Sequence, residues 1–331
     1  MNGNVFYMDW EVSLIEWMQK NLGDAGIAVS KVITTIGGET IAMLVLIVVL
    51  FCYSKEAGKR VGLTLLAANA WYPMIKNVVL RLRPYMVHEN ISVHQLVEAG
   101  ASPTDVLAQG YSFPSGHSAS AASMYGSIAR EVRKKWMWTL AFILPLLIGI
   151  SRFIVGVHYP TDVLAGWTVG LAAVGFAILL EKKVPNDTHR FLILLVMTLP
   201  GLLWCSSRDY FSTLGMLAGM TAAVPYEKKY VNFADTRKIP VMILRTVGAF
   251  AAYYALNTVL KLPFGSEFLN SSTLGAHLVR SLRYAVILFV LFAVYPRCFP
   301  FLERLFSGKN HPSGKAKPDR HTAGIAGDHA I

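Results

Sequence analysis

Three short stretches of this 331-residue chain carry side chains able to hold and attack an oxyanion. The first is Lys76 with Arg83, followed directly by Pro84. On one helix spanning 60–83, their seven-residue spacing returns both cations to nearly the same face, about 10 Å apart. Pro73 and Pro84 bracket the pair, so the helix is expected to kink before Lys76 and to end after Arg83. Cations at a helix end also snorkel to a membrane interface, which is the ordinary reading of Arg83 taken alone. Lys76 lies deeper, where a charge is costly without a task.

The second stretch is Pro114-Ser115-Gly116-His117, set before the small-residue run Ser118–Tyr125. A loop feeding a helix N-terminus presents unpaired N–H groups and the positive end of the helix dipole to an anion, and Gly116 lets the backbone come close. Ser115 adds a hydroxyl and His117 a proton donor. A serine in that place is equally an ordinary helix cap. The third stretch is Ser151-Arg152, then His158, then Asp162. Arg152 brings a forked donor suited to phosphate oxygens. If 158–162 turns helically, the Asp162 carboxylate takes one imidazole N–H and points the other nitrogen outward, the arrangement of a nucleophile and its orienter. A structural interfacial pair uses the same two residues.

The elements that must position these groups read as membrane spans. Hydrophobic residues make up 54% of the chain and charged ones 15%, too apolar for an ordinary soluble domain. Helices are expected near 32–54, 60–83, 118–130, 136–155, 161–181, 189–205, 210–226, 239–261 and 278–302. The net charge of +11 suits nucleic acid, but its distribution argues against that partner. Lys55, Lys59, Arg60, Arg130, Arg133, Lys134, Lys135, Lys182, Lys183, Lys228, Lys229, Arg237 and Lys238 fall in alternate connections, marking one side as cytoplasmic. The opposite connections, 84–117, 156–160, 206–209 and 262–277, are expected to be poorer in Lys and Arg. All three clusters fall on that side, and together they supply charge neutralisation, a nucleophile and a general acid, the needs of phosphoryl transfer.

The chain divides by pattern into 1–31, read as an amphipathic interfacial segment from Trp10, Ile15, Trp17 and Met18; a membrane core, 32–187; a C-terminal extension of further spans, 188–307; and a polar cytoplasmic tail, 308–331. Asp9 and Glu11 stand where a signal peptide would be basic. Cys52, Cys205 and Cys298 give no disulfide framework and no metal-ligand spacing.

In these three stretches the chain resembles the type 2 phosphatidic acid phosphatase superfamily, which also contains glucose-6-phosphatases and vanadium haloperoxidases. The likeness rests on Lys76 through Arg83-Pro84, on Pro114-Ser115-Gly116-His117, and on Ser151-Arg152 through His158 to Asp162, in that order. It covers roughly 38–181. A looser likeness, from Glu227-Lys228-Lys229-Tyr230-Val231-Asn232-Phe233 onward, is to the C-terminal extension of bacterial members.

The resemblance implies an all-α membrane bundle, with a six-helix phosphatase core and additional C-terminal helices, and a site that uses no metal or other cofactor. It implies that His158 attacks phosphorus to give a phosphohistidine, that Asp162 orients it, and that His117 protonates the leaving oxygen. Lys76, Arg83, Ser115, Gly116 and Arg152 would hold the phosphate oxygens. Glu39 is weighed as a substrate contact, an ordinary helix-start acid being the alternative. The expected substrate is a lipid phosphomonoester or pyrophosphate: phosphatidate, phosphatidylglycerophosphate, a sphingoid-base phosphate or a polyprenyl diphosphate. The expected setting is a bacterial plasma membrane, with the site on the extracytoplasmic side and membrane lipids as neighbours. The alternatives are a phosphatase of a soluble ester, as in the glucose-6-phosphatases, and, in other classes, a transporter or a non-catalytic lipid-binding protein.

Overall fold

The structure is a computed structural model that describes residues 3–96, 98 and 100–306, with Glu39 as backbone alone. The expected tail over 308–331 and the Glu39 side chain therefore lie outside the described residues. The chain folds as helices: α1 (Asp9–Ile36), α2 (Glu39–Val48, closed by a wide turn Val49–Tyr53), α3 (Lys55–Val79), α4 (Gly116–Val132) and α5 (Lys135–Ile154). They continue with α6 (Pro160–Lys183), α7 (Asp187–Thr198), α8 (Arg208–Tyr226), α9 (Ile239–Val259) and α10 (Leu274–Phe289).

Among the described residues, four helical stretches are long and apolar enough to cross a bilayer by length and composition: α5, α6, α9, and α10 with its continuation to Leu305. Their outward faces carry Phe142, Leu164, Leu171, Ile243, Val247 and Leu282, side chains that suit hydrocarbon. The helix expected over 32–54 is divided at Gly37-Gly38, where α1 ends and α2 begins. Together α1 and α2 form a bent apolar pair, 45° apart. A Cβ at Gly37 would run into Ile148 of α5, so the glycine allows the chain to turn tightly against its neighbour.

Three of the helices that fall short of that measure, α3, α4 and α7, carry charges that pair across the bundle. Lys59 meets Asp187 at 2.5 Å, Arg60 meets Glu131 at 2.5 Å, and Arg130 pairs with Glu181. Lys55 meets Glu227 at 3.0 Å, tying the start of α3 to the end of α8. These bridges lie where α3 begins and α4 and α6 end, opposite the end that carries the three sequence clusters. One apolar layer runs through both halves of the chain: Leu63, Leu66 and Ala67 of α3, Ala173 and Ala177 of α6, Leu194 of α7, Leu217 and Met220 of α8, and Phe292.

Two glycines bring α4 and α6 together. A Cβ at Gly166 would lie 2.5 Å from the Ser115 carbonyl oxygen, and one at Gly170 would lie 2.5 Å from that of Ala119. The small-residue stripe thus sets backbone against backbone for the two helices that begin with His117 and Asp162 in their first turns. Gly166→Ala is expected to cost about 1–3 kcal/mol by overpacking, and to lower turnover by moving Ser115. Thermal unfolding in detergent and phosphate release, measured side by side, check this.

Candidate active site

The shared helical face expected for Lys76 and Arg83 is not what unites them. α3 stops at Val79, Leu80 turns left-handed (φ 55°) with its N–H on the Lys76 carbonyl, and residues 81–83 run extended. Pro84 excludes the helical conformation at Arg83, which sits at φ −74° and ψ 152°. The N-terminal segment then pairs with this stretch: Asn4 N–H donates to Leu80 O at 2.8 Å and Leu82 N–H to Asn4 O at 3.0 Å. Lys76 and Arg83 still lie within each other's electrostatic reach.

Each remaining cluster reaches the same end of the bundle by its own local rule. Ser115 caps α4: its hydroxyl accepts from Ser118 N–H at 3.4 Å and from Ser118 Oγ–H at 2.9 Å, leaving its own proton to donate. Its backbone N–H donates to Asp162 O at 2.9 Å, which joins the second cluster to the third. A Cβ at Gly116 would meet the Tyr72 ring at 2.9 Å, so only glycine fits between that ring and the helix start. Arg152, in the last turn of α5, donates to Thr34 Oγ1 of α1 at 2.5 Å. Its buried Nε has no partner among the described residues and is a donor in reserve. Arg83 spends three of its nitrogens on the carbonyls of Gln109, Gly110 and Val157 at 2.8–3.1 Å, clamping the loop that leads to Ser115 against the loop that holds His158.

His158 Nδ1 lies 3.4 Å from Asp162 Oδ2, which also accepts the Tyr159 backbone N–H at 2.7 Å as the helix start closes on itself. The i,i+4 pairing expected from the sequence is therefore present, with His158 in the loop and Asp162 in the first turn of α6. His158 and His117 lie within electrostatic reach of one another and of Lys76, Arg83 and Arg152. Burial first, and then the charges of Arg83, Arg152 and Lys76, hold the His158 imidazole well below its usual range, so at neutral pH the ring carries no proton charge. The Lys76 ammonium sits 5.3 Å above the Tyr72 ring and forms no ion pair among the described residues.

The structure adds residues that spacing did not single out. Arg81, 1% exposed, donates to Asp162 Oδ1 at 2.7 Å and to Glu11 Oε2 at 2.9 Å. Its guanidinium lies 3.9 Å from the centre of the Tyr159 ring. Glu11 in turn accepts from the Thr161 N–H and hydroxyl, so the first turn of α1 grips the first turn of α6. The N-terminal segment is more than an interfacial helix: Ile15 and Ile27 pack with Phe153, Ile154 and Tyr159, while Trp10 and Trp17 remain outward. Arg81→Gln strands two buried carboxylates and is expected to destabilise by about 3–5 kcal/mol. The double variant with Glu11→Gln should recover part of that loss, which thermal unfolding of the four proteins measures.

Residues 57–185 match the PAP2 superfamily, and residues 211–306 match the PAP2 superfamily phosphatase transmembrane extension. The chain is 30% identical over 140 residues to the undecaprenyl-diphosphatase of Sulfolobus acidocaldarius, covering 42% of this chain and 62% of that protein. It is 43% identical over 70 residues to phosphatidylglycerophosphatase B of Bacillus subtilis, 18% of this chain and 34% of the relative. It is 29% identical over 142 residues to the lipid A 1-phosphatase of Rhizobium johnstonii, 40% of this chain and 54% of the relative. Each alignment thus spans less than two thirds of the relative's own length. Among solved structures, a transmembrane PAP2 type phosphatidylglycerolphosphate phosphatase from Bacillus subtilis superposes with a TM-score of 0.42 at 24% identity, over 54% of this chain and 89% of that one.

Proposed function

We propose, from the premise that this chain belongs to the PAP2 superfamily and is an integral membrane protein, that it removes phosphate from a lipid phosphomonoester or pyrophosphate. The observation that carries the reading is the meeting of His158, His117, Lys76, Arg83 and Arg152 around the α4 N-terminus, with His158 Nδ1 turned to Asp162. That arrangement leaves Nε2 of a neutral imidazole as the nucleophile. Nε2 forms a bond to phosphorus as the bond from phosphorus to the lipid oxygen breaks, and His117, which takes up a proton once the bound phosphate offsets the charges of Arg152, Lys76 and Arg83 around it, gives that oxygen the proton. Water, losing a proton to His117, then attacks phosphorus and breaks the N–P bond, releasing phosphate and restoring both histidines. Lys76, Arg152, the Ser115 hydroxyl and the N–H groups at Gly116 stabilise the charge on the phosphoryl oxygens; Arg83 has donors left for the same oxygens after clamping the two loops.

A lipid substrate is favoured over a soluble ester because the site lies at one end of a bundle with lipid-suited flanks, and because the relatives named above act by name on lipids. The ion-paired, Lys- and Arg-rich opposite end supports a cytoplasmic placement of that end and an extracytoplasmic site. The test is phosphate release by detergent-purified protein from lipid monophosphates, lipid diphosphates and soluble esters, with chelator present. Release from lipids that vanishes in His158→Ala supports the reading. Preference for soluble esters would overturn the lipid assignment, and release that survives the substitution would overturn the mechanism.

A further inference from the structure

A second set of cations gathers beside the candidate active site, where α8 begins, α9 ends and α10 begins. Arg208 opens α8, Lys261 follows α9, and Arg280 and Arg283 lie on α10. Arg280 is within electrostatic reach of Arg208, Arg283 and Asp209, and Lys261 of Arg280, Arg283 and Glu98. Four cations thus face two carboxylates, Glu98 and Asp209, at the end of the bundle where the sequence pattern places the loops poorer in Lys and Arg.

The cluster is built into the fold. Arg208 donates to the Asn270 carbonyl at 2.7 Å and meets Glu98 at 3.4 Å; Arg280 donates to the Leu269 carbonyl at 3.1 Å; Arg283 donates to Asn257 Oδ1 at 2.9 Å. Two buried groups are left without partners among the described residues: Arg283 Nε and His277 Nε2, on side chains each 5% exposed. The His277 ring is stacked flat on Phe211 at 4.2 Å and lies within electrostatic reach of Arg280 and Arg208. A buried Arg283 Nε–H without an acceptor, beside an unpartnered imidazole nitrogen and an excess of like charge, is costly unless an anion visits it.

Asp209 links the cluster to the catalytic phosphate pocket. It accepts the Tyr72 hydroxyl at 3.1 Å, and Tyr72 lies under Lys76 and against Gly116. Asp209 is within electrostatic reach of Lys76 and Arg83 on one side and of Arg280 on the other. A carboxylate between two sets of cations keeps two bound anions apart.

We propose that Arg208, Arg280, Arg283 and His277 form a second oxyanion subsite, which takes a further phosphate of the same lipid head group while the phosphate to be cleaved sits against Lys76 and Arg152. The inference rests on the phosphatase reading, and it assigns the extension helices α8 to α10 a part in choosing head groups that carry two anionic centres. In phosphatidylglycerophosphate, for example, the phosphodiester lies one glycerol unit beyond the terminal monoester.

The test compares phosphatidate with phosphatidylglycerophosphate of the same acyl chains, in phosphatidylcholine vesicles, for the full chain and for Arg280→Gln and Arg283→Gln. The readout is the ratio of kcat/KM for the two lipids, which a merely structural loss leaves unchanged. The two-phosphate lipid is expected to lose roughly ten-fold of its advantage in each variant. An unchanged ratio overturns the subsite. If Arg280→Gln instead abolishes a stimulation of both lipids by added phosphatidylglycerol, the anion comes from a neighbouring lipid and the assignment to the substrate is overturned. Binding of the same two lipids to His158→Ala, with and without Arg280→Gln, reads the subsite independently of turnover. Tighter binding of the two-phosphate lipid that is lost with Arg280 supports the subsite even if the wild-type chain releases no phosphate, whereas equal binding overturns it.

Discussion

His158→Ala is expected to lower kcat on a lipid phosphate by about 10³-fold or more, since it removes the atom to which the phosphoryl group transfers. The prediction is strong because no neighbouring group can take over. Asp162 is turned to His158 Nδ1, Tyr159 N–H and Arg81, and His117 lies on a different helix with the opposite task. Fold and binding should survive, because among the described residues the His158 ring has one hydrogen-bonding contact, at 3.4 Å to Asp162, while Arg81 and the Tyr159 N–H continue to hold that carboxylate. Phosphate release and substrate binding measured on the same preparation check both halves. Asp162→Asn, by contrast, should cost stability along with turnover, because it takes a charge from the buried Arg81.

The second large effect depends on the leaving group. His117→Ala is expected to slow release from a lipid phosphate by roughly 10²–10⁴-fold, the usual worth of a positioned general acid. It should slow release far less from an aryl phosphate, whose phenolate departs without a proton. The ratio of the two rates, wild type against variant, isolates proton donation from any loss of packing around the α4 N-terminus. Equal loss with both substrates would remove His117 from the general-acid role and leave it as a phosphate-holding or structural group.

How much of this was legible in the sequence follows from how local each device is. Ser115 as a cap, the close backbone at Gly116 and the His158–Asp162 pairing are set within four residues, so spacing alone announces them. The route by which Lys76 and Arg83 meet differs from the one that helical spacing predicts. Pro84 acts one residue earlier than a simple helix stop, and pairing with Asn4 holds Arg81 and Leu82 extended after the left-handed turn at Leu80. That pairing joins residues 75 or more positions apart, and no local pattern signals it. The weight of Arg81 and Glu11 likewise comes from a distant contact, α1 crossing onto the start of α6. A signal is present in Arg81-Leu82-Arg83: in an extended segment residues two apart share a face, and both guanidinium groups reach the neighbourhood of the third cluster, Arg81 on Asp162 and Arg83 on the carbonyls of Val157 and Gln109. The cations of α10 were hidden by the charge pattern itself, because the loop over 262–277 is poor in Lys and Arg while Arg280 and Arg283 stand just inside the helix that follows.

Rapid quenching with a lipid substrate labelled with ³²P in the scissile phosphate shows directly whether phosphate passes through His158. The expected result is a protein-bound label that is lost in acid, stable in base, formed and consumed at rates compatible with turnover, and missing in His158→Ala. Steady phosphate release with no such label, or a label that persists in His158→Ala, would contradict it.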